Sequence, residues 1–152
     1  MKDFWYGKAP VTESGELWSM EACDSVYHDA QYRAPTDLDV FVICPVREIT
    51  ADDRVKIDRI VTKAEIRGKT IYVPFRDTNQ VRDPSGLRIC ADNKRAISVA
   101  KEIWVWYSPD SQGSLFDLGV AYAMGKPIRL MNSPNKTKGK SFANMLREWA
   151  RL

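Results

Sequence analysis

The sequence predicts a single α/β domain: a parallel-sheet, Rossmann-like (flavodoxin-like) sandwich with helices on both faces. Three observations predict it. Residues 39–45 (DVFVICP) and 103–107 (IWVWY) are nearly unbroken apolar runs, as expected of strands buried on both faces. Other segments repeat apolar residues at i, i+3, i+4 and i+7, which lines one side of a helix. The two patterns alternate along the chain, which argues for parallel strands joined by right-handed helical crossovers.

Residues 1–37 stand outside this alternation and read as an N-terminal extension to a domain spanning 38–152. Phe4, Trp5 and Tyr6 cluster near the start, Pro10, Gly15 and Pro35 punctuate the segment, and 16–22 suits a short helix. The aromatics favour packing on the domain or a neighbouring subunit, with stacking on a base as the alternative. After the first strand, Thr50 is placed to cap a helix reaching about residue 67, with Ile57, Ile60, Val61 and Ala64 on its apolar side and Gly68 at its end. A second strand is expected over 70–75, a polar loop over 76–86, and a helix over 87–101. The last strand is expected at 128–131. Lys136, Lys138 and Lys140 sit in a basic loop before a final helix opened by Ser141, with Phe142, Met145, Leu146, Trp149 and Leu152 as its apolar residues.

A chain of 152 residues, 44% hydrophobic and 28% charged, has the ordinary composition of one globular domain. No apolar run approaches the roughly 18 residues of a membrane span. The opening MKDFWYGKAP lacks the apolar stretch of a signal peptide, and cysteines that suit reduced positions make a cytoplasmic setting the default expectation. Cys23, Cys44 and Cys90 form no CxxC pair, and Cys44 and Cys90 suit reduced core positions. His28 is the only histidine, which excludes a metal centre built on several. There is no glycine-rich dinucleotide fingerprint and no P-loop. The net charge of +3 divides unevenly: residues 1–37 carry three basic and seven acidic side chains, leaving about +7 on the rest. A basic body suits an anionic small ligand such as a nucleotide. Basic residues nowhere form a dense run interleaved with aromatics, which argues against nucleic acid as the partner.

The stretch 102–131, EIWVWYSPDSQGSLFDLGVAYAMGKPIRLM, concentrates the functional signal. It reads as strand, turn-rich loop, helix, sharp stop at Gly125 and a further strand after Pro127. Ser114 is the expected N-cap, with Asp117 three residues on in a capping-box-like relation. Asp117 is thereby expected in the first helical turn, near the carboxyl ends of the strands, where α/β sheets hold their ligands. Capping of its own helix is the local alternative role for Asp117.

The run Ser111-Gln112-Gly113-Ser114-Leu115-Phe116-Asp117-Leu118-Gly119, with Ala121 and Gly125-Lys126-Pro127-Ile128, resembles the signature of the nucleoside 2-deoxyribosyltransferase family, which includes deoxynucleoside 5′-monophosphate N-glycosidases. The likeness covers about residues 39–131. It implies a compact α/β fold, no metal or organic cofactor, a homodimer or higher homo-oligomer, and cleavage or transfer of an N-glycosidic bond through a carboxylate. The family has Glu where this chain has Asp117, one methylene shorter. A carboxylate there would attack or stabilise an oxocarbenium-like sugar.

The resemblance also implies an acidic helper on the preceding helix. Ungapped spacing lands on Asn93, with Asp92 one residue earlier; Asp92 is preferred because an amide cannot act as a base. Arg47 matches an Arg that binds 5′-phosphate in the monophosphate branch, and Ser111 matches a phosphate-binding Ser, with Gly113 and Ser114 beside it. Ser141 or a nearby lysine would be a further contact. Gly113 is expected to allow backbone approach to the ligand and Gly119 to allow it between helix and sheet. Tyr107 and Phe116 either border the base or pack in the core. Two other functions remain open: a nucleotide-binding module without turnover, and a glycohydrolase of nicotinamide dinucleotides.

Overall fold

Leu38–Ile43 forms β1, and the apolar run from Val40 to Ile43 follows from its place inside the sheet. The computed structural model describes residues 35–80 and 85–152. Expectations for 1–34, including the aromatic cluster, Cys23 and His28, and for 81–84 of the polar loop, lie outside the described residues. The sheet is wholly parallel, with order β2-β1-β3-β4, where β2 is Ile71–Tyr72, β3 is Ala100–Val105 and β4 is Ile128–Leu130. This is the flavodoxin-like order over its first four strands.

Strand pleating sorts the side chains into two layers. Val40, Val42 and Cys44 join Trp104 and Trp106 in one cluster with Ile57, Val61 and Ala64 of α1 (Ala51–Glu65). Phe41 points the other way and stacks on Tyr72 with ring centroids 5.5 Å apart. On that second face lie α3 (Leu87–Val99) and α4 (Gln112–Ala123), which contact each other and β1. The chain leaves β1 for β2 on one side and later returns to β3 on the other. The carboxyl ends of β1 and β3 therefore flank the crevice where such folds bind ligands. At the opposite end, Asp39 accepts from the Thr70 backbone and from Lys101 Nζ, both at 2.9 Å, tying together the starts of β1, β2 and β3. Its carboxyl is held down at about 2, first by the Lys101 hydrogen bond.

Thr50 caps α1, its hydroxyl accepting from Asp53 N at 3.1 Å, and Gly68 and Gly125 adopt positive φ (88° and 63°) where their helices stop. Elsewhere the elements differ from expectation. The second strand is cut to two residues because Pro74 opens a short helix, α2 (Pro74–Asp77), and Asp77 Oδ2 takes the Val73 N–H at 2.7 Å. The helix over 87–101 yields its last two residues to β3. Ser111, not Ser114, is the N-cap of α4: Ser111 Oγ accepts from Ser114 N, and Leu115 N donates to Ser111 O at 3.1 Å. The final helix, α5 (Phe142–Trp149), is capped by Ser141 as expected, but its apolar residues do not all face inward. Leu146 is fully buried while Phe142 and Met145 are 50% and 37% exposed, and Trp149 meets Tyr122 edge-on at 5.3 Å.

Candidate functional site

Moving the helix start to Gln112 changes what Asp117 can be. It is the sixth residue of α4, beyond the first turn, so it neither caps the helix nor sits among its free N–H groups. Its side chain is turned inward with Ser114, Leu118 and Ala121, and the residue is 7% exposed. Burial pushes its carboxyl from 3.8 up to about 7, against the opposing pull of one hydrogen bond, from Asn93 Nδ2 to Asp117 Oδ2 at 2.9 Å. Asp117 makes no ion pair among the described residues, and its Oδ1 accepts from none of them. Cys44, just past β1, lies near enough to feel its charge; burial first and Asp117 second push that thiol up to about 12. Asp117 is thus held at the carboxyl end of β1, beside the switch point between β1 and β3.

Asn93, rather than the favoured Asp92, is the residue of α3 that meets Asp117. One residue along a helix turns a side chain by about 100°. Asp92 is instead buried in an ion pair with Arg88, four residues back on the same helix, at 3.3 Å. Arg88 also donates to Asn79 O at 2.6 Å, which ties α3 to the loop after α2. Two residues that carried no signal in the sequence complete the cluster. Thr78 Oγ1 lies 3.0 Å from Asn93 Oδ1, and Tyr72 OH lies 2.8 Å from Thr78 Oγ1, both contacts buried. Thr78 ends α2, in what the sequence offered only as a polar loop, and Tyr72 lies in the strand before it.

Ser111 and Ser114 are buried and share a contact of 2.9 Å between hydroxyls, so both are engaged in starting α4. Arg47 lies exposed on the bend after β1, with no hydrogen bond or ion pair to a described residue. Gly113 and Gly119 are both exposed, and a Cβ at either would meet nothing within 4 Å. Gly119 therefore does not serve close packing of helix on sheet. Phe116 is 47% exposed, which removes it from the core, and Tyr107 is half-buried with its backbone bracketed by Asn132 at 2.8 Å twice. Cys90 is half-buried on α3 rather than in the core. A cavity of about 170 Å³ lined by Ile60, Trp104, Arg129, Leu130 and Met131 lies on the α1 face, away from Asp117.

Among the described residues no group of three or more His, Cys, Asp or Glu could hold a metal ion, and no helix is long and apolar enough to cross a membrane. Compared with known proteins, the chain matches no family model, no curated protein and no solved structure. Chemically, the cluster offers a carboxyl that titrates near neutrality, held through one oxygen and unengaged at the other. Such a group can attack or stabilise an electron-poor carbon.

Proposed function

We propose that this protein breaks, and on some substrates transfers, the N-glycosidic bond of a nucleotide or nucleoside, with Asp117 as the acting carboxylate. One observation carries the proposal: Asp117 is buried at the switch point with Asn93 as partner, and it serves neither as helix cap nor in an ion pair. Burying an ionisable group without a structural return is costly, and such groups concentrate at functional sites. The resemblance of 111–128 to nucleoside 2-deoxyribosyltransferases supplies the reaction class. In that chemistry Asp117 Oδ1 attacks the anomeric carbon and the C–N bonding pair leaves with the base, which takes a proton from water. Water or a second base then displaces the carboxylate and restores it. Asn93 would hold Oδ2 throughout, and Arg47 would pair with a 5′-phosphate. A cytoplasmic homo-oligomer belongs to the same proposal.

The test is chromatography for free base after incubation with ribo- and deoxyribonucleosides, their 5′-monophosphates and a nicotinamide dinucleotide, beside Asp117→Ala. Base release by the parent alone supports the proposal; nicotinamide release alone would reassign the substrate. A second reading, a nucleotide-binding module without turnover, is favoured by the Arg88–Asp92 pair, which leaves no second carboxylate among the described residues on Asp117 to move a proton. It predicts a ligand that raises the melting temperature with no base released.

A further inference from the structure

We propose that Thr78 and Tyr72 are positioning residues of this site, which fix the Asn93 amide so that Nδ2 and not its oxygen faces Asp117. This rests on Asp117 being the reacting carboxylate. An ionised carboxylate only accepts, so Asn93 must offer Nδ2 across the 2.9 Å contact. The Asn93 oxygen then faces Thr78 Oγ1 at 3.0 Å and must accept the single hydroxyl proton of Thr78. With that proton committed, the one in the 2.8 Å contact between Tyr72 and Thr78 comes from Tyr72. The chain therefore runs one way, from Tyr72 through Thr78 and Asn93 to Asp117. All four residues are 7% exposed or less, and the stack of Tyr72 on Phe41 anchors the far end to β1.

The reverse order is also chemically complete. A protonated Asp117 would donate to a turned Asn93 oxygen, Asn93 Nδ2 to Thr78, and Thr78 to Tyr72. The reverse order requires the neutral acid, whereas the forward order is the only one open to the carboxylate, so fixing the chain forward favours the ionised state. Thr78 fixes the chain this way by engaging the amide oxygen; without its hydroxyl the amide is free to turn, and an oxygen facing Asp117 suits only the neutral acid. Of the other ionisable groups on the neighbouring elements, the buried ones are Cys44 after β1, a thiol that stays protonated at neutral pH, and the paired Arg88 and Asp92 on α3; Cys90 and Arg95 of α3 are half-buried and its Lys94 is exposed.

The experiment follows the side-chain carboxyl carbon of Asp117 by NMR through a pH titration of the full chain, assigned against Asp117→Asn. Thr78→Val, which keeps the shape and removes the hydroxyl, should raise the titration midpoint by about one unit, on the scale of a hydrogen bond to a charged group. Thr78→Ser should keep the parent midpoint, and Tyr72→Phe should raise it by less than Thr78→Val. A folded Thr78→Val with the parent midpoint overturns the proposal; if that variant does not fold, an unchanged midpoint in Tyr72→Phe does so. The readout needs no turnover. A shifted midpoint in a protein that releases no base would retire the glycosidase reading and keep the relay, and base release with an unshifted midpoint would do the reverse.

Discussion

Asn93 on α3 and Asp117 on α4 meet through one hydrogen bond, Nδ2 to Oδ2 at 2.9 Å, between side chains 24 residues apart in the chain and both buried. Everything expected of the site depends on this contact, because it alone opposes the burial that drives the Asp117 carboxyl toward its neutral form.

The first consequence is a pH–rate profile. The proposed attack needs the carboxylate, and the carboxyl titrates at about 7. Base release should rise with pH through neutrality and level off above it. Asn93→Ala removes the one interaction that lowers the midpoint, so it should move the rise to higher pH. Measuring kcat/KM against pH checks both, and a profile flat across neutrality would count against Asp117 as the acting group.

The same shift acts on stability with the opposite benefit. In the unfolded chain the carboxyl ionises near 3.8, so between there and about 7 the folded protein keeps a proton that the unfolded chain has released. Unfolding free energy therefore falls as pH rises through that window, and above about 7 the whole penalty is present. At roughly 1.4 kcal/mol per unit the ceiling is about 4 kcal/mol. Asp117→Asn should make the protein more stable by about 1–3 kcal/mol at ~pH 8, and less pH-dependent, while abolishing turnover. Urea unfolding of the two proteins at both ends of the window checks this.

Arg88 and Asp92 should behave as structure rather than chemistry. Arg88→Ala takes the Arg88 cation away from the Asp92 carboxylate, 2% exposed, which should cost up to about 3–5 kcal/mol. Arg88→Met with Asp92→Leu should recover most of that loss. Thermal melts of the single and double variants separate the two outcomes.

Arg47 should do the reverse. It is exposed and makes no contact with a described residue, so Arg47→Ala should change stability by less than about 0.5 kcal/mol. If it grips a 5′-phosphate, KM for the monophosphate should rise about 10- to 100-fold while the nucleoside is unaffected. Equal effects on the two substrates would remove Arg47 from the phosphate role.

Much of this fold was legible because single residues carry decisive local chemistry. Thr50 before an apolar-periodic run, glycines where helices stop, and the valine-rich run of β1 each admit one reading. The site was legible only in part. Ser111 and Ser114 are both competent caps, and choosing between them decides whether Asp117 stands in the first turn or beyond it; residue type alone does not make that choice, and in the structure Ser111 caps while Ser114 lies in the first turn with its hydroxyl 2.9 Å away. Asp92 and Asn93 differ by a rotation that spacing alone does not resolve. Thr78 and Tyr72 come together with Asn93 only because Pro74 breaks the second strand and turns the chain back toward α3. Phe142 and Met145 looked interior because helical periodicity marks a face without saying what covers it.

The shortness of the outer strands has a consequence for assembly. Among the described residues the sheet is bounded by two residues of β2 on one side and three of β4 on the other. A row of backbone groups that short is a poor template for recruiting a foreign strand. Side-by-side continuation of the sheet into a second molecule, and the fibrous growth that such continuation permits, are therefore disfavoured at both margins. Association between copies would fall instead to helix surfaces and loops, where side chains rather than the main chain decide the partner.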